Sequence, residues 1–243
     1  MRLLFIRHAD PDYEKDSLTE KGWKEAELLA DRLAALPISA FYVSTMGRAR
    51  DTASLTLEKM GQSAVPCDWL REFPHLIQRP DRPGRISIPW DWLPQDWTNT
   101  DAFFGTDTWQ EDLILQEGHV YEKYLQITQE FDQVLASHGY ERNGRIYEAV
   151  RPNRDILAFF CHFGLECVLL SRLMNISPML LWHHTAAAPS SVTSLYTEER
   201  RPGKAIFRMN YFGDISHLYA GQEPPSFQAR FCETWDDPEE RHD

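Results

Sequence analysis

Near the start of the chain, Arg7 and His8 set a guanidinium beside an imidazole. They follow a short apolar run, Met1-Arg2-Leu3-Leu4-Phe5-Ile6. An apolar run bounded by polar residues reads as a buried strand. In an open α/β sheet, chemistry sits just beyond the carboxyl ends of the strands. Three later residues fall at equivalent places. Arg48 opens a predicted helix after a second strand, Glu72 lies just beyond a third, and His162 ends the apolar strand 156–161. Strand ends of one sheet converge on one crevice, so these side chains can meet although they are far apart in sequence.

The residue types suit phosphoryl transfer. A phosphoryl group in flight spreads negative charge over three equatorial oxygens, and its catalysis is largely positioning and electrostatic stabilisation. Two arginines and a histidine can donate to those oxygens, and the planar arginine fork matches phosphate and stays charged. A helix N-terminus near Arg48 adds backbone N–H groups and a favourable dipole. A second imidazole can attack phosphorus in line. A carboxyl group can protonate the leaving oxygen and later take a proton from water.

The elements that must hold these residues alternate between strand and helix. Residues 19–36 read as a helix, capped by Ser17 or Thr19, with Ala26, Leu29, Ala30, Leu33 and Leu36 on one face. A strand at 38–43 leads to a helix at 47–60 that Ser44-Thr45 can cap and Gly61 can close. A short strand at 64–67, a helix at 118–137 and a hairpin signal at 142–145 come next. Beyond them are the strand 156–161, an apolar helix at 163–175 and two strands at 191–197 and 205–211. Alternation of this kind implies βαβ units. The expected fold is a three-layer α/β/α sandwich with a mostly parallel central sheet, in a single domain over residues 1–243.

The pattern breaks at 73–112, where five prolines and four tryptophans (Trp90, Trp92, Trp97, Trp109) show no sustained period. This reads as an insertion or lid over the crevice. At least one of its tryptophans and one of Arg79, Arg82 and Arg85 are expected to face the phosphate site. The competing reading makes the tryptophans staples and the arginines a solvated loop. His183-His184 has no third ligand at recognisable spacing, and no metal site is expected. His217 reads as structural. The acidic tail, 233–243, is expected to fray.

A formal charge of −12 over 243 residues argues against nucleic-acid or anionic-membrane partners. An anion site must therefore be a local basic cluster. No apolar run is long enough to span a bilayer and no leader pattern is present, which makes a cytoplasmic location the expectation. Cys67, Cys161, Cys167 and Cys232 lack metal or CxxC spacing and read as reduced thiols.

Five segments in order carry a family resemblance. They are Arg7-His8, Leu18-Thr19-x-x-Gly22-x-x-x-Ala26, Ser44-x-x-x-Arg48-Ala49-x-x-Thr52-Ala53, Leu70-x-Glu72 and Cys161-His162-Phe163-Gly164. Together they resemble the histidine phosphatase superfamily, the phosphoglycerate-mutase-like clan, and in particular its phosphatase branch. Asp214-x-Ser216-His217-Leu218 looks like its C-terminal segment.

The resemblance implies a metal-independent, cofactor-free phosphoric monoester hydrolase of the histidine acid phosphatase type. His8 would be the nucleophile that becomes phosphohistidine. Arg7, Arg48 and His162 would bind the phosphate oxygens, and Glu72 would be the general acid and base. The expected substrate is a small phosphorylated molecule, with a phosphoprotein as the second class. Mutase-type transfer and a phospho-ligand-binding pseudoenzyme are the alternatives. The chain departs from the family pattern twice: Ala9 replaces the usual glycine after the nucleophile, and Glu14 replaces an asparagine that donates to phosphate. A carboxylate at 14 would repel phosphate unless it turned away.

Overall fold

Eight strands form one central sheet in a computed structural model that describes residues 1–73, 76–90, 92–229, 232–237 and 239. They are β1 (Arg2–Arg7), β2 (Ala40–Ser44), β3 (Val65–Cys67), β4 (Tyr140–Asn143), β5 (Ile146–Ala149), β6 (Ile156–Cys161), β7 (Val192–Arg201) and β8 (Lys204–Asp214). Their order across the sheet is β3-β2-β6-β1-β7-β8-β5-β4. The half that carries the candidate site, β3-β2-β6-β1, is parallel. Beyond β1 the sheet is antiparallel, built from the β7–β8 and β4–β5 hairpins. The expected α/β/α layering is present, with the parallel region confined to the strands that end at the site.

Helices cover both faces. Helices α1 (Glu20–Ala34) and α2 (Gly47–Met60) bury Leu29, Leu33 and Ala53 against Leu4, Ile6, Val43 and Phe160. Helices α3 (Val120–Ser137), α4 (Phe163–Met174) and α5 (Pro178–His184) pack on the other face, around Leu3, Phe5 and Phe159. Alternate residues of β1 thus feed opposite layers, as the pleat requires. Arg7 follows Leu3 and Phe5 in this alternation and lies on the α4 side.

Local chemistry sets the helix ends. Thr19 caps α1 by accepting from Gly22 N at 3.0 Å. Gly61 closes α2 in the left-handed conformation, at φ 62°. The expected Ser44-Thr45 cap of α2 does not form. Met46 is the cap residue, and the Asp16 carboxylate reaches across to accept from Gly47 N at 2.7 Å. Gly47 is required there, because a Cβ would overlap the Asp16 carbonyl oxygen.

The insertion is a folded wall. It contains a small ribbon (Ile77–Gln78 with Ile86–Ser87), a helical turn (Pro94–Trp97) and 3-10 turns at Asp101–Phe104 and Trp109–Glu111. Trp92, Trp97 and Trp109 are buried in the main core. Trp92 N donates to His183 Nε2 at 3.1 Å, His183 Nδ1 donates to Met179 O at 2.7 Å, and Trp97 stacks on the His183 ring. His183 Nε2 thereby fastens the insertion to α5, while Nδ1 is held within the helix.

Pro74, His75 and Asp91 of the insertion lie outside the described residues, as does the tail beyond Asp237 apart from Glu239. Cys67, Cys161 and Cys167 are buried and Cys232 is half-buried, all as free thiols. No described helix is long and apolar enough to cross a membrane.

Candidate active site

Arg7 ends β1 and His8 follows it. Cys161 ends the neighbouring parallel strand, in register with Arg7, and His162 follows that. Equivalent exits from adjacent strands bring the two imidazoles together, 5.1 Å apart between ring centroids and tilted by 55°. Both rings are buried.

His8 Nδ1 lies 2.8 Å from the Ala9 carbonyl oxygen. A carbonyl only accepts, so Nδ1 carries the hydrogen and Nε2 keeps its lone pair while the ring is neutral. Burial, with Arg7 and then Arg48 nearby, holds His8 well below its usual 6.5. The ring is therefore a neutral, oriented base at physiological pH.

His162 Nε2 is 2.8 Å from Ser44 Oγ, at the end of β2. Ser44 thus orients an imidazole rather than capping a helix. Burial, with His8, Arg48, Arg7 and Arg71 around it, keeps His162 well below 6.5.

The two arginines are fixed from behind. Arg7 Nη1 donates to the Ala187 carbonyl, and its guanidinium lies over the Phe163 ring. Arg48 Nη1 donates to Asp16 Oδ1 at 2.7 Å, and the exposed Tyr13 ring covers the Arg48 guanidinium. Three buried nitrogens of this cluster, Arg7 Nε, Arg48 Nε and His162 Nδ1, have no protein partner. Buried N–H groups without partners are costly, so a cluster of them is suited to hold an anion.

Glu72 Oε1 accepts from Phe73 N at 2.8 Å and Leu165 N at 3.0 Å, the latter at the start of α4. Both of these bonds fall on Oε1. Burial raises the Glu72 carboxyl above its usual value, against the pull of the Phe73 amide and Arg7. Trp90 stands beside it. A Cβ on Gly164 would meet Trp90 Nε1 at 2.7 Å and Glu72 Oε1 at 2.8 Å, so the indole and the carboxylate flank one spot that only glycine leaves open.

The five sequence-predicted residues therefore lie around one centre. At the two departures from the family pattern, Ala9 keeps out of the left-handed region, with its N–H on Thr52 Oγ1 at 2.9 Å. Glu14 is exposed, turned to solvent. His217 is buried between Arg32 and Ser190, a structural role.

Of the insertion's candidates, Trp90 reaches the site. Arg79 does not face it: it is buried in an ion pair with Asp81 and donates to the Trp90 carbonyl at 3.0 Å. Arg82 is half-buried and Arg85 exposed. The expected anion-steering role fails for Arg79 because a buried carboxylate two residues away claims its charge. Sequence reading missed Ser44, Asp16 and Glu166. The last had a visible signal, being the only acidic residue of an otherwise apolar first half of α4.

Residues 3–78 match the family model of the histidine phosphatase superfamily (branch 1). Among solved structures, the chain is similar to a native mycobacterial glucosyl-3-phosphoglycerate phosphatase, with 20% identity, 87% of this chain and 98% of that one covered, and a TM-score of 0.57. It is also similar to a phosphoserine phosphatase from Entamoeba histolytica in complex with 3-phosphoglyceric acid, with 16% identity, 89% and 98% coverage, and a TM-score of 0.55. No curated protein matches the chain by sequence. The resemblance to the histidine phosphatase superfamily read from the motifs is borne out.

Proposed function

We propose that this chain hydrolyses a small phosphate monoester through a phosphohistidine at His8. The observation that carries the reading is the set of buried, unpartnered nitrogens of Arg7, Arg48 and His162 gathered around an imidazole whose tautomer leaves Nε2 free. That arrangement suits a phosphate dianion held by its non-bridging oxygens and attacked from one side.

In the proposed reaction, His8 Nε2 forms a bond to phosphorus as the bond to the leaving oxygen breaks. Glu72 gives its proton to that oxygen, and the alcohol departs. Glu72, now ionised, takes a proton from water. The resulting hydroxide attacks phosphorus, the P–N bond breaks, and phosphate leaves. The two guanidiniums supply the positive charge that phosphoryl transfer needs, so no metal or cofactor is assigned a step.

Size selection supports a small substrate over a phosphoprotein. The insertion is fastened to α5 and packed into the core, which suits a fixed wall beside the site. The neighbours named above are phosphatases of phosphoserine and of glucosyl-3-phosphoglycerate, which puts phosphorylated amino acids, sugars and glycerates first in a screen. The test is release of phosphate across sugar phosphates, phosphoamino acids, nucleotides and phosphopeptides, with a His8→Ala control. Activity that survives in His8→Ala refutes the mechanism, and preference for phosphopeptides refutes the substrate class.

A further inference from the structure

Glu166 has no part in the reaction above, yet it is buried directly behind it, with 1% of its surface exposed. It lies one helical turn after His162, and its backbone N–H bonds to the His162 carbonyl. Thr193 of β7 pairs across the sheet with Phe5 and so shares its face, and its side chain favours the ionised form of the Glu166 carboxylate. Helix α4 begins where β6 ends, and β1 runs between β6 and β7. Phe163, over whose ring the Arg7 guanidinium lies, is three residues before Glu166 and so on the same side of α4. Glu166 Oε1 has no hydrogen-bond partner.

Arg7 differs from the other buried arginines near the site. Arg48 is paired with Asp16 and Arg79 with Asp81. Among the described residues Arg7 forms no direct ion pair, and its burial is offset at longer range by Glu72 and Glu166.

We propose that Glu166 is a positioning residue of the phosphate site, the buried countercharge that holds the Arg7 guanidinium and weakens the site's grip on a dianion when it is ionised. The proposal rests on the phosphatase reading. A site with two guanidiniums and no such countercharge would hold its own product too tightly, so a carboxylate behind Arg7 favours release.

The groups facing Glu166 are Arg7 from β1, Glu72 after β3, Cys161 at the end of β6 and Cys167 on its own helix. Burial pushes both thiols well above their usual range, so they stay neutral. Burial also pushes Glu166 up to about 7, with Thr193 and Arg7 opposing and Glu72 reinforcing. Its charge therefore changes within the physiological range.

The test is calorimetric titration with sulfate, a dianion throughout that range, at about pH 6 and about pH 8, on the wild type and Glu166→Gln. Glutamine keeps the volume and removes the charge. The two proteins should bind sulfate alike at the lower pH. At the higher pH the variant should bind about tenfold tighter, the scale set by removing one buried charge at moderate distance. A merely structural role would leave the pH dependence unchanged.

Should Glu166→Gln not fold, Thr193→Val supplies the second measurement. It removes a hydroxyl that favours the ionised form of Glu166, so the fall in sulfate affinity should move to higher pH. Equal affinities at both pH values, or weaker binding by Glu166→Gln, overturn the proposal. Failure of the wild type to bind sulfate or phosphate at all overturns the phosphatase reading and the Glu166 proposal with it.

Discussion

His8 and His162 leave adjacent parallel strands at the same level, and their rings lie 5.1 Å apart and tilted by 55°. Each imidazole is pinned through one nitrogen, His8 by the Ala9 carbonyl and His162 by Ser44 Oγ. In the proposed reaction that division gives His8 Nε2 to the attack and His162 Nδ1 to a phosphate oxygen. Incubation with an activated phosphate ester should therefore label His8, and acid should remove the label because phosphoramidates are acid-labile. Ser44→Ala should keep the label but slow turnover, since His162 loses its orientation. Label on a serine, aspartate or cysteine would refute the assignment, as read by mass spectrometry of a neutral quench.

Arg48→Ala should reduce kcat/KM by about 10²–10³, the typical cost of one electrostatic donor at a developing charge. Arg48→Lys should recover only part of this, because an ammonium cannot serve Asp16 and a phosphate oxygen as a planar fork does. Steady-state kinetics on the best substrate decide it. A near-wild-type value for Arg48→Ala takes the residue out of the site.

Burial raises the proton affinity of Glu72 and lowers that of His8. The sign of the pH effect follows. A general acid must be protonated, so activity falls as pH rises through the elevated value of Glu72. A nucleophile must be neutral, so activity falls at the acid end only well below pH 6.5. Glu72→Gln should remove the fall in kcat that Glu72 imposes, leaving the loss of binding that Glu166 imposes, and should slow alkyl phosphates far more than p-nitrophenyl phosphate, whose leaving group needs no proton. Equal losses on both esters would deny Glu72 the acid role.

Stability should also depend on pH. Glu25 is fully buried in α1, accepts from Asp10 N at 2.9 Å, and is pushed up to about 7 by burial. The native state thus binds a proton that the unfolded chain releases near its ordinary value of 4.5. The stability linked to that proton is complete below the unfolded value and is lost as pH rises through about 7. Melting temperature should decline from about pH 5 to about pH 8, and Glu25→Gln should flatten the decline. A slope unchanged by the substitution would rule out Glu25 as its source.

The insertion yields a selective prediction. Trp90→Ala should change KM and substrate ranking while His8 still accepts phosphate from a small activated ester. Gly164→Ala should lower kcat instead, because its Cβ would press on both Trp90 and Glu72. Trp97→Ala should act on folding, since that ring is buried and stacks on His183. Loss of substrate ranking through Trp97 with no change through Trp90 would reverse these roles.

Much of this protein was legible in the chain. Local patterns located α1, α2 and β6, because apolar periodicity, a Thr19 cap and a closing Gly61 act within a few residues of themselves. That Arg7, His8, Arg48, Glu72 and His162 converge was legible because each follows a strand or opens a helix, and strand ends in one sheet share an edge. What tertiary structure decided were the partners. Ser44 looked like a cap and instead orients His162, which lies far along the chain. Arg79 looked like a steering charge and instead pairs with buried Asp81 to hold the Trp90 carbonyl. Glu166 drew no reading from the sequence, and it is buried one turn after His162. Burial and the choice of hydrogen-bond partner depend on which elements stack, and no local pattern encodes that.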